Sequence, residues 1–316
     1  MALIRPTEAT DSARRTGPGR AVALLVLVGL GALIPLLGPS VAAHGTGESA
    51  AADSGAVALL RAVLFAALCV QVGELFVSGL VRRLPAAQSG RPGSWAPYAA
   101  VVGFAAAAAA GELAPHGHGS RGGVLALLEA IAFAVAGLCA LSPRPDRQAW
   151  PLAAVVLAEA LRAHPPTEHT PLIGSGLTVV HLTCSALWAG GLLTVLRTLR
   201  QWGGAEAGSA LLGLYARVAA VLFAGVTATG LCSSLRRMPS PTVLDQLTTT
   251  AYGRVLLAKV LLVGAVALLA LWARTRLRRA PDPLAACFPA RVEIATLGVV
   301  VAVSGLLTAL PLPIKG

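Results

Sequence analysis

The chain has 316 residues, 56% of them hydrophobic and 12% charged, with a mean hydropathy of +0.74. That balance argues against a soluble domain and for a single integral membrane domain, because crossing a bilayer as a helix takes about 20 apolar residues in a row. The net charge of +11 does not point to nucleic acid: the arginines cluster between alternate apolar runs, the positive-inside pattern.

Residues 1–20 are polar and carry Arg5, Arg14, Arg15 and Arg20. The first apolar run, Ala21 to Leu37, is followed by Gly38-Pro39-Ser40-Val41-Ala42-Ala43-His44. Two readings stay open here. The segment 1–43 is a cytoplasmic tail with a first membrane helix, or a secretory signal with a basic region, an apolar region and small residues before a cut. Both place His44 outside the cytoplasmic membrane. A cut after Ala43 would make His44 an N-terminal histidine, whose amine and imidazole together chelate copper(II).

Eight further runs follow. The second, about Gly55 to Val81, contains Cys69, Gln71 and Glu74 and ends in Arg82-Arg83. The third, Trp95 to Leu113, has an alanine-rich centre and leads to Pro115-His116-Gly117-His118-Gly119. The fourth, Gly122 to Leu141, contains Glu129; the short fifth, Ala149 to Ala163, contains Glu159 and Arg162 and leads to His164 and His169. The sixth runs from Gly176 to Arg200, and the seventh, Ser209 to Ser233, contains Arg217. The eighth, Ala251 to Ala273, carries Lys259, and the ninth opens at Arg291 with Glu293 near its start. The expected architecture is an all-α polytopic bundle of nine membrane helices, or eight if the first is removed. Arg82, Arg83, Arg91, Arg144, Arg147, Arg197, Arg200 and the Arg274–Arg279 cluster then fall on one side with the N-terminal arginines. That side is cytoplasmic, and the C-terminus lies outside. Arg121, Arg236 and Arg237 are the exceptions.

This orientation puts every histidine on the outer side. His44, His116, His118, His164 and His169 fall in outer loops, and His181 lies one to two turns into the sixth run from the same face. In that run His181, Cys184 or Ser185, and Trp188 recur at helical spacing. Gly190 and Gly191 follow, where a neighbouring helix can approach closely. A histidine in a span is costly and tends to mark a site or pathway. Imidazoles gathered at one mouth suit a borderline or soft metal ion, with Cys184, Cys232 or Met238 as deeper sulfur donors. Each of these is, taken alone, more often a packing residue. Five scattered cysteines without a CxxC pair argue against a disulfide framework or a structural zinc site.

Charges inside apolar runs need partners. The expected pairings are Arg217 with Glu293, and Lys259 with Glu129 or Glu159. No Walker A sequence and no phosphorylation-type aspartate motif is present, so ATP is not expected to drive transport.

From about His164 to Pro313 the motifs stand in a telling order. They are His164, Val180-His181-Leu182 with Trp188-Ala189-Gly190-Gly191, Thr229-Gly230-Leu231, Tyr252-Gly253-Arg254-Val255-Leu256-Leu257-Ala258-Lys259, and Arg291-Val292-Glu293. In these the chain resembles the copper resistance D (CopD) family of bacterial inner-membrane proteins, and residues 44–163 look like the looser N-terminal half of that family. The resemblance implies a non-enzymatic protein of the cytoplasmic membrane that transports copper, most simply inward. A separate periplasmic CopC-like copper-binding protein would be its partner, since no such domain is present in the sequence. Copper would be captured by His44 and His164, with His116, His118 or His169, and passed to His181 and Cys184. Trp188, Tyr252, Arg254, Lys259, Glu129, Arg217 and Glu293 would build the surrounding structure or pathway. The family's methionine-rich copper motifs are absent. Two other readings are an assembly factor delivering copper or haem to a respiratory oxidase, and a b-type haem redox protein.

Overall fold

The computed structural model describes residues 18–48, 51, 53–84, 93–114, 117–166, 170–202, 206–238, 243–279 and 287–310; within these, the side chains of 18–28, 118, 206, 273, 274 and 276–294 are not described. All regular structure among the described residues is helical. The helices are α1 (Pro18–Ala43), α2 (Ser54–Val81), α3 (Ala96–Glu112), α4 (Arg121–Leu141), α5 (Ala149–Ala163), α6 (Pro171–Trp202), α7 (Glu206–Arg237), α8 (Val243–Thr249), α9 (Ala251–Arg279) and α10 (Cys287–Ala309). Each of the nine apolar runs is one helix. The short α8, polar and without a buried residue, has no hydropathy signal and escaped the sequence reading.

Local chemistry sets several of the ends. Ser120 caps α4 by accepting from the Gly123 amide, which satisfies one of the unpaired amides of a first turn. Pro171 opens α6, where its missing N–H costs nothing. Glu74 of α2 caps α3 from a different helix. Its carboxylate accepts from the Trp95 and Ala96 amides at 2.8 and 3.1 Å, from the Ser94 hydroxyl at 2.6 Å, and from Arg197 of α6 at 2.6 Å. Arg197 also lies over the Trp95 ring, its Cζ 3.5 Å from the centroid, a cation–π contact. Glu74 thereby acquires a partner that the sequence did not identify. In α1 the chain does not break at Gly38-Pro39 but stays helical through Pro35 and Pro39.

Five helices are long and apolar enough to cross a membrane: α2, α4, α6, and the segments Ala207–Arg237 of α7 and Ala251–Trp272 of α9. Helices α3 and α5 have 17 and 15 residues, and α1 and α10 contribute shorter apolar segments, Gly29–Ala43 and Ala295–Ala309. The bundle turns large apolar side chains outward, among them Val221, Leu138 and Leu261. That arrangement suits hydrocarbon rather than water.

Helix α2 is the hub, packing on α1, α3, α6 and α10. Its contact with α6 is made by glycines: a Cβ on Gly190 would overlap the Cys69 carbonyl, and a Cβ on Gly73 would overlap the Gly190 backbone. On its other sides Gly305 of α10 meets Ala58 and Ala62, and Gly55 meets the Leu36 carbonyl of α1. Three apolar clusters fill the remaining space. One joins α2, α6 and α7 around Trp188, Leu211 and Tyr215; one joins α2 to α3, α4 and α5 around Phe133 and Leu68; one joins α1, α9 and α10 around Tyr252 and Leu306.

Gly190→Val is therefore expected to cost at least about 1–3 kcal/mol through overpacking. Gly264→Ala, where an added Cβ meets nothing within 4 Å, should leave stability unchanged or slightly raised. Thermal unfolding of both variants in one detergent checks this contrast.

Candidate functional site

The seam between α6 and α7 runs antiparallel and brings the motif residues face to face. His181 meets Thr229 and Gly230, Cys184 meets Gly225, and Trp188 meets Phe223 and Tyr215. Trp188 and Phe223 pack edge to face with centroids 5.3 Å apart, a preferred aromatic geometry. The Tyr215 hydroxyl donates to the Trp188 carbonyl at 2.6 Å. A side chain at Gly225 would press on the Cys184 thiol, whereas one at Gly230 would reach ordinary contact with the His181 ring.

Hydrogen bonding orients His181. The Thr229 hydroxyl donates back to the Gly225 carbonyl at 2.7 Å, an i−4 bond common to helical threonines. Its oxygen then accepts, and His181 Nδ1 stands 2.9 Å away. With the threonine proton on that carbonyl, the matching tautomer of His181 has its proton on Nδ1, and the lone pair of a neutral imidazole is what binds a metal. The bond to Thr229 also fixes the ring orientation, the usual role of the outer partner of a ligand histidine. Helix α6 begins at Pro171, five residues before the expected run. His181 therefore lies about 15 Å below the helix start at 1.5 Å per residue, deeper than the one to two turns expected.

The run Tyr252 to Lys259 opens α9 beside this seam, and Tyr252 and Arg254 have defined partners. Gly253 lets α9 lie against the Gln246 carbonyl of α8. Arg254 donates to the His44 carbonyl at 2.7 Å and to the Thr248 carbonyl at 2.8 Å, so it ties the segment after α1 to the start of α9. The Tyr252 hydroxyl accepts from Arg237 of α7 at 3.2 Å. The same guanidinium reaches His164 Nε2 at a long 3.4 Å. An arginine can only donate, so His164 Nε2 accepts, both from Arg237 and from the Thr178 hydroxyl at 3.0 Å. His164 is 3% exposed, with Gly174 closed over its ring. Its Nε2 thus faces a guanidinium and a hydroxyl, and that nitrogen can bind a metal only if both move. His44, by contrast, is exposed.

The exceptions to the arginine pattern are accounted for. Arg121 donates to the Leu161 carbonyl, Arg236 to the Thr170 carbonyl and hydroxyl, and Arg237 to Tyr252 and His164. These guanidiniums stitch loop and helix-end oxygens together.

The other expected residues divide sharply. His116 and His169 lie outside the described residues, as does the side chain of His118. Among the described residues, no three His, Cys, Asp or Glu side chains gather as a metal-binding group. Met238 is buried in the apolar cluster around Tyr252, and Cys232 is exposed. Arg217 is exposed and bonds the Gly213 carbonyl of its own helix at 3.4 Å, while the side chain of Glu293 lies outside the described residues. The pairing expected for Lys259 is overturned: Glu129 pairs with Arg162 at 2.7 Å and Glu159 with Arg61 at 2.5 Å. Arg61 was missed, although a lone cation inside the second apolar run was itself a signal that a carboxylate must come from another helix. An open apolar groove of roughly 450 Å³ between α2 and α3, lined by Val63, Val70, Trp95 and Tyr98 among others, offers no ligating side chain and is no part of this site.

Residues 209–308, from α7 to the end of α10, match the family model described as Copper resistance protein D. The match supports a CopD family protein and agrees with the motif resemblance over the C-terminal third of the chain. Such a family implies a membrane protein related to copper resistance or transport. No curated protein and no solved structure matches the chain.

Arg237→Ala should destabilise the fold by about 1.5–3 kcal/mol, the worth of hydrogen bonds to a charged group. Arg217→Ala should stay within about 0.5 kcal/mol, as exposed substitutions usually do. Paired denaturation curves in detergent measure the difference.

Proposed function

We propose, from the premise that this is a CopD family protein, that the chain carries copper across the bacterial cytoplasmic membrane, inward, from an extracytoplasmic capture site. The observation that supports this best is His181: an imidazole on a membrane helix, held through Nδ1 by Thr229. Cys184 lies one turn further on along the same seam, beside Gly225, and offers a sulfur that suits copper(I) more than copper(II). His44, exposed and tethered through its carbonyl to Arg254, serves as an entry ligand. Copper here is cargo, and the family is one of copper resistance rather than of enzymes. A separate periplasmic CopC-like protein is the proposed donor, and the bilayer is the surrounding partner. In this orientation the histidine end of the bundle faces outward and the C-terminus is extracytoplasmic.

The role of Cys184 remains secondary to that of His181, because α6 turns both towards α7 but only the imidazole has its orientation fixed by a hydrogen bond. The residues 1–43 enter this proposal as a retained membrane helix. Support comes from packing: Ala42 and Ala43 are buried, and a Cβ on Gly38 would strike Leu306 of α10. Loss of α1 would uncover that apolar surface.

Three experiments test the reading. Copper bound by detergent-purified protein should fall strongly in His181→Ala. Thr229→Val should weaken affinity about 10–100-fold, the range for removing the partner of a ligand histidine, while leaving the protein folded. Equal copper in wild type and both variants would sink the site, and loss of binding without loss of vesicle copper uptake would sink the transport role. The intact mass of the membrane-extracted protein should include residues 1–43; a mass beginning at His44 would overturn retention of α1.

A further inference from the structure

At the end of the bundle away from the histidines, one ion pair joins two segments far apart in sequence. Arg82, just after α2, donates through Nη1 to both carboxylate oxygens of Asp146 at 3.1 and 3.2 Å. Asp146 lies in the link between α4 and α5, so the pair brings Arg82-Arg83 beside Arg144 and Arg147. All four arginines are exposed. Arg82 and Asp146 offset each other. Arg83, Arg144 and Arg147 have no acidic partner among the described residues, so their positive charge stays open on one patch.

The link that carries Arg144 and Arg147 is a formed turn. Ser142 donates its hydroxyl to the Cys139 carbonyl at 2.7 Å and accepts from the Arg144 amide at 3.2 Å. Pro145 keeps Arg144 out of the helical region, at φ −121° and ψ 69°, as a following proline does. The Arg147 amide closes the turn on the Arg144 carbonyl at 3.1 Å, and buried Gln148 anchors it to the core. The backbones of both arginines are thus set before anything binds, which lowers the ordering cost of a ligand.

Depth and surroundings name the ligand. Helix α4 has 21 residues, ~31 Å at 1.5 Å per residue, about the thickness of a hydrocarbon core. The arginines stand just past its end, at headgroup level. Beside them the outward face is apolar: Leu138 and Leu141 of α4 and Trp150 of α5 are 70%, 72% and 81% exposed. Tryptophan is enriched at that depth of a membrane. A soluble anion would use the guanidiniums and leave the apolar face idle. A phospholipid uses both, its phosphate on the guanidiniums and its chain along the leucines. A zwitterionic headgroup brings an ammonium that these arginines repel, and an anionic one does not.

We propose that Arg83, Arg144 and Arg147 form a binding site for the phosphate of an anionic phospholipid, with its acyl chain against Leu138, Leu141 and Trp150. The site does not depend on the copper reading. Arg217 of α7, also exposed, supplies a charge-matched comparison.

Tryptophan quenching by brominated lipid tests it, with the full-length protein in phosphatidylcholine vesicles. The part of the fluorescence that Trp150→Phe removes reports the site. At equal low mole fraction, brominated phosphatidylglycerol should quench that part more than brominated phosphatidylcholine. Arg144→Gln and Arg147→Gln should each weaken the apparent phosphatidylglycerol affinity roughly 5-fold, the worth of one arginine at a membrane surface, and Arg217→Gln should leave it unchanged. Equal quenching by the two lipids in the wild type would overturn the proposal, whatever the variants do. A loss as large in Arg217→Gln overturns it too, since the attraction is then to overall charge. Inorganic phosphate that abolishes the preference overturns the lipid as ligand and leaves a site for soluble anions.

Discussion

The bundle depends on one contact in which side chains play no part. At Gly73 and Gly190 the backbones of α2 and α6 touch, with the Cys69 carbonyl against Gly190. Lipid tails are as apolar as leucine, so helices in a bilayer gain little by hiding apolar groups from it. They gain instead from close approach. With α2 and α6 locked at this depth, the rest of the arrangement follows. Glu74 of α2 comes level with Arg197 of α6 and caps α3. Gly191 admits Phe76 and Tyr215, which sets α7 in its place. His181 then faces Thr229 because of that placement, and would face lipid if α6 were rotated.

Charge in this molecule is spent in three distinct ways. Glu74 is saturated by donors and acts as a brace. The arginines at the histidine end are tied to carbonyls and hydroxyls, so they hold loops without presenting open positive charge. The group Arg61, Glu129, Glu159 and Arg162 is different, because it is buried among apolar helices and compensates itself: each carboxylate has one guanidinium from another residue of the group beside it.

Helix existence and order were legible in the sequence, since nine apolar runs became nine helices with ends shifted by a few residues. Glycines 190 and 191 were also legible, because small residues in a span have few other uses. Partners were not. Periodicity gives the face on which Glu129 lies but not which helix comes to that face, so Lys259 was assigned a carboxylate that belongs to Arg162. His164 and His181 looked alike as sequence, both imidazoles near one membrane face. The fold separates them through neighbours that no local pattern encodes: a guanidinium on Nε2 of one, a threonine on Nδ1 of the other. The polar helix α8 was invisible because nothing in it needs burying.

The helices differ in length from one flank to the other. Helices α6 and α7 have 32 residues each, whereas α3 and α5 have 17 and 15. At 1.5 Å per residue the short pair spans roughly 26 and 22 Å, less than the ~30 Å hydrocarbon core of a typical bilayer. Lipid beside α3 and α5 must thin to meet them, while lipid beside α6 and α7 meets helices with length to spare for tilt. The protein therefore sits in an asymmetric annulus, compressed on the flank that holds the four buried charges and relaxed on the flank that holds His181. Acyl-chain length becomes a variable felt unequally by its two halves.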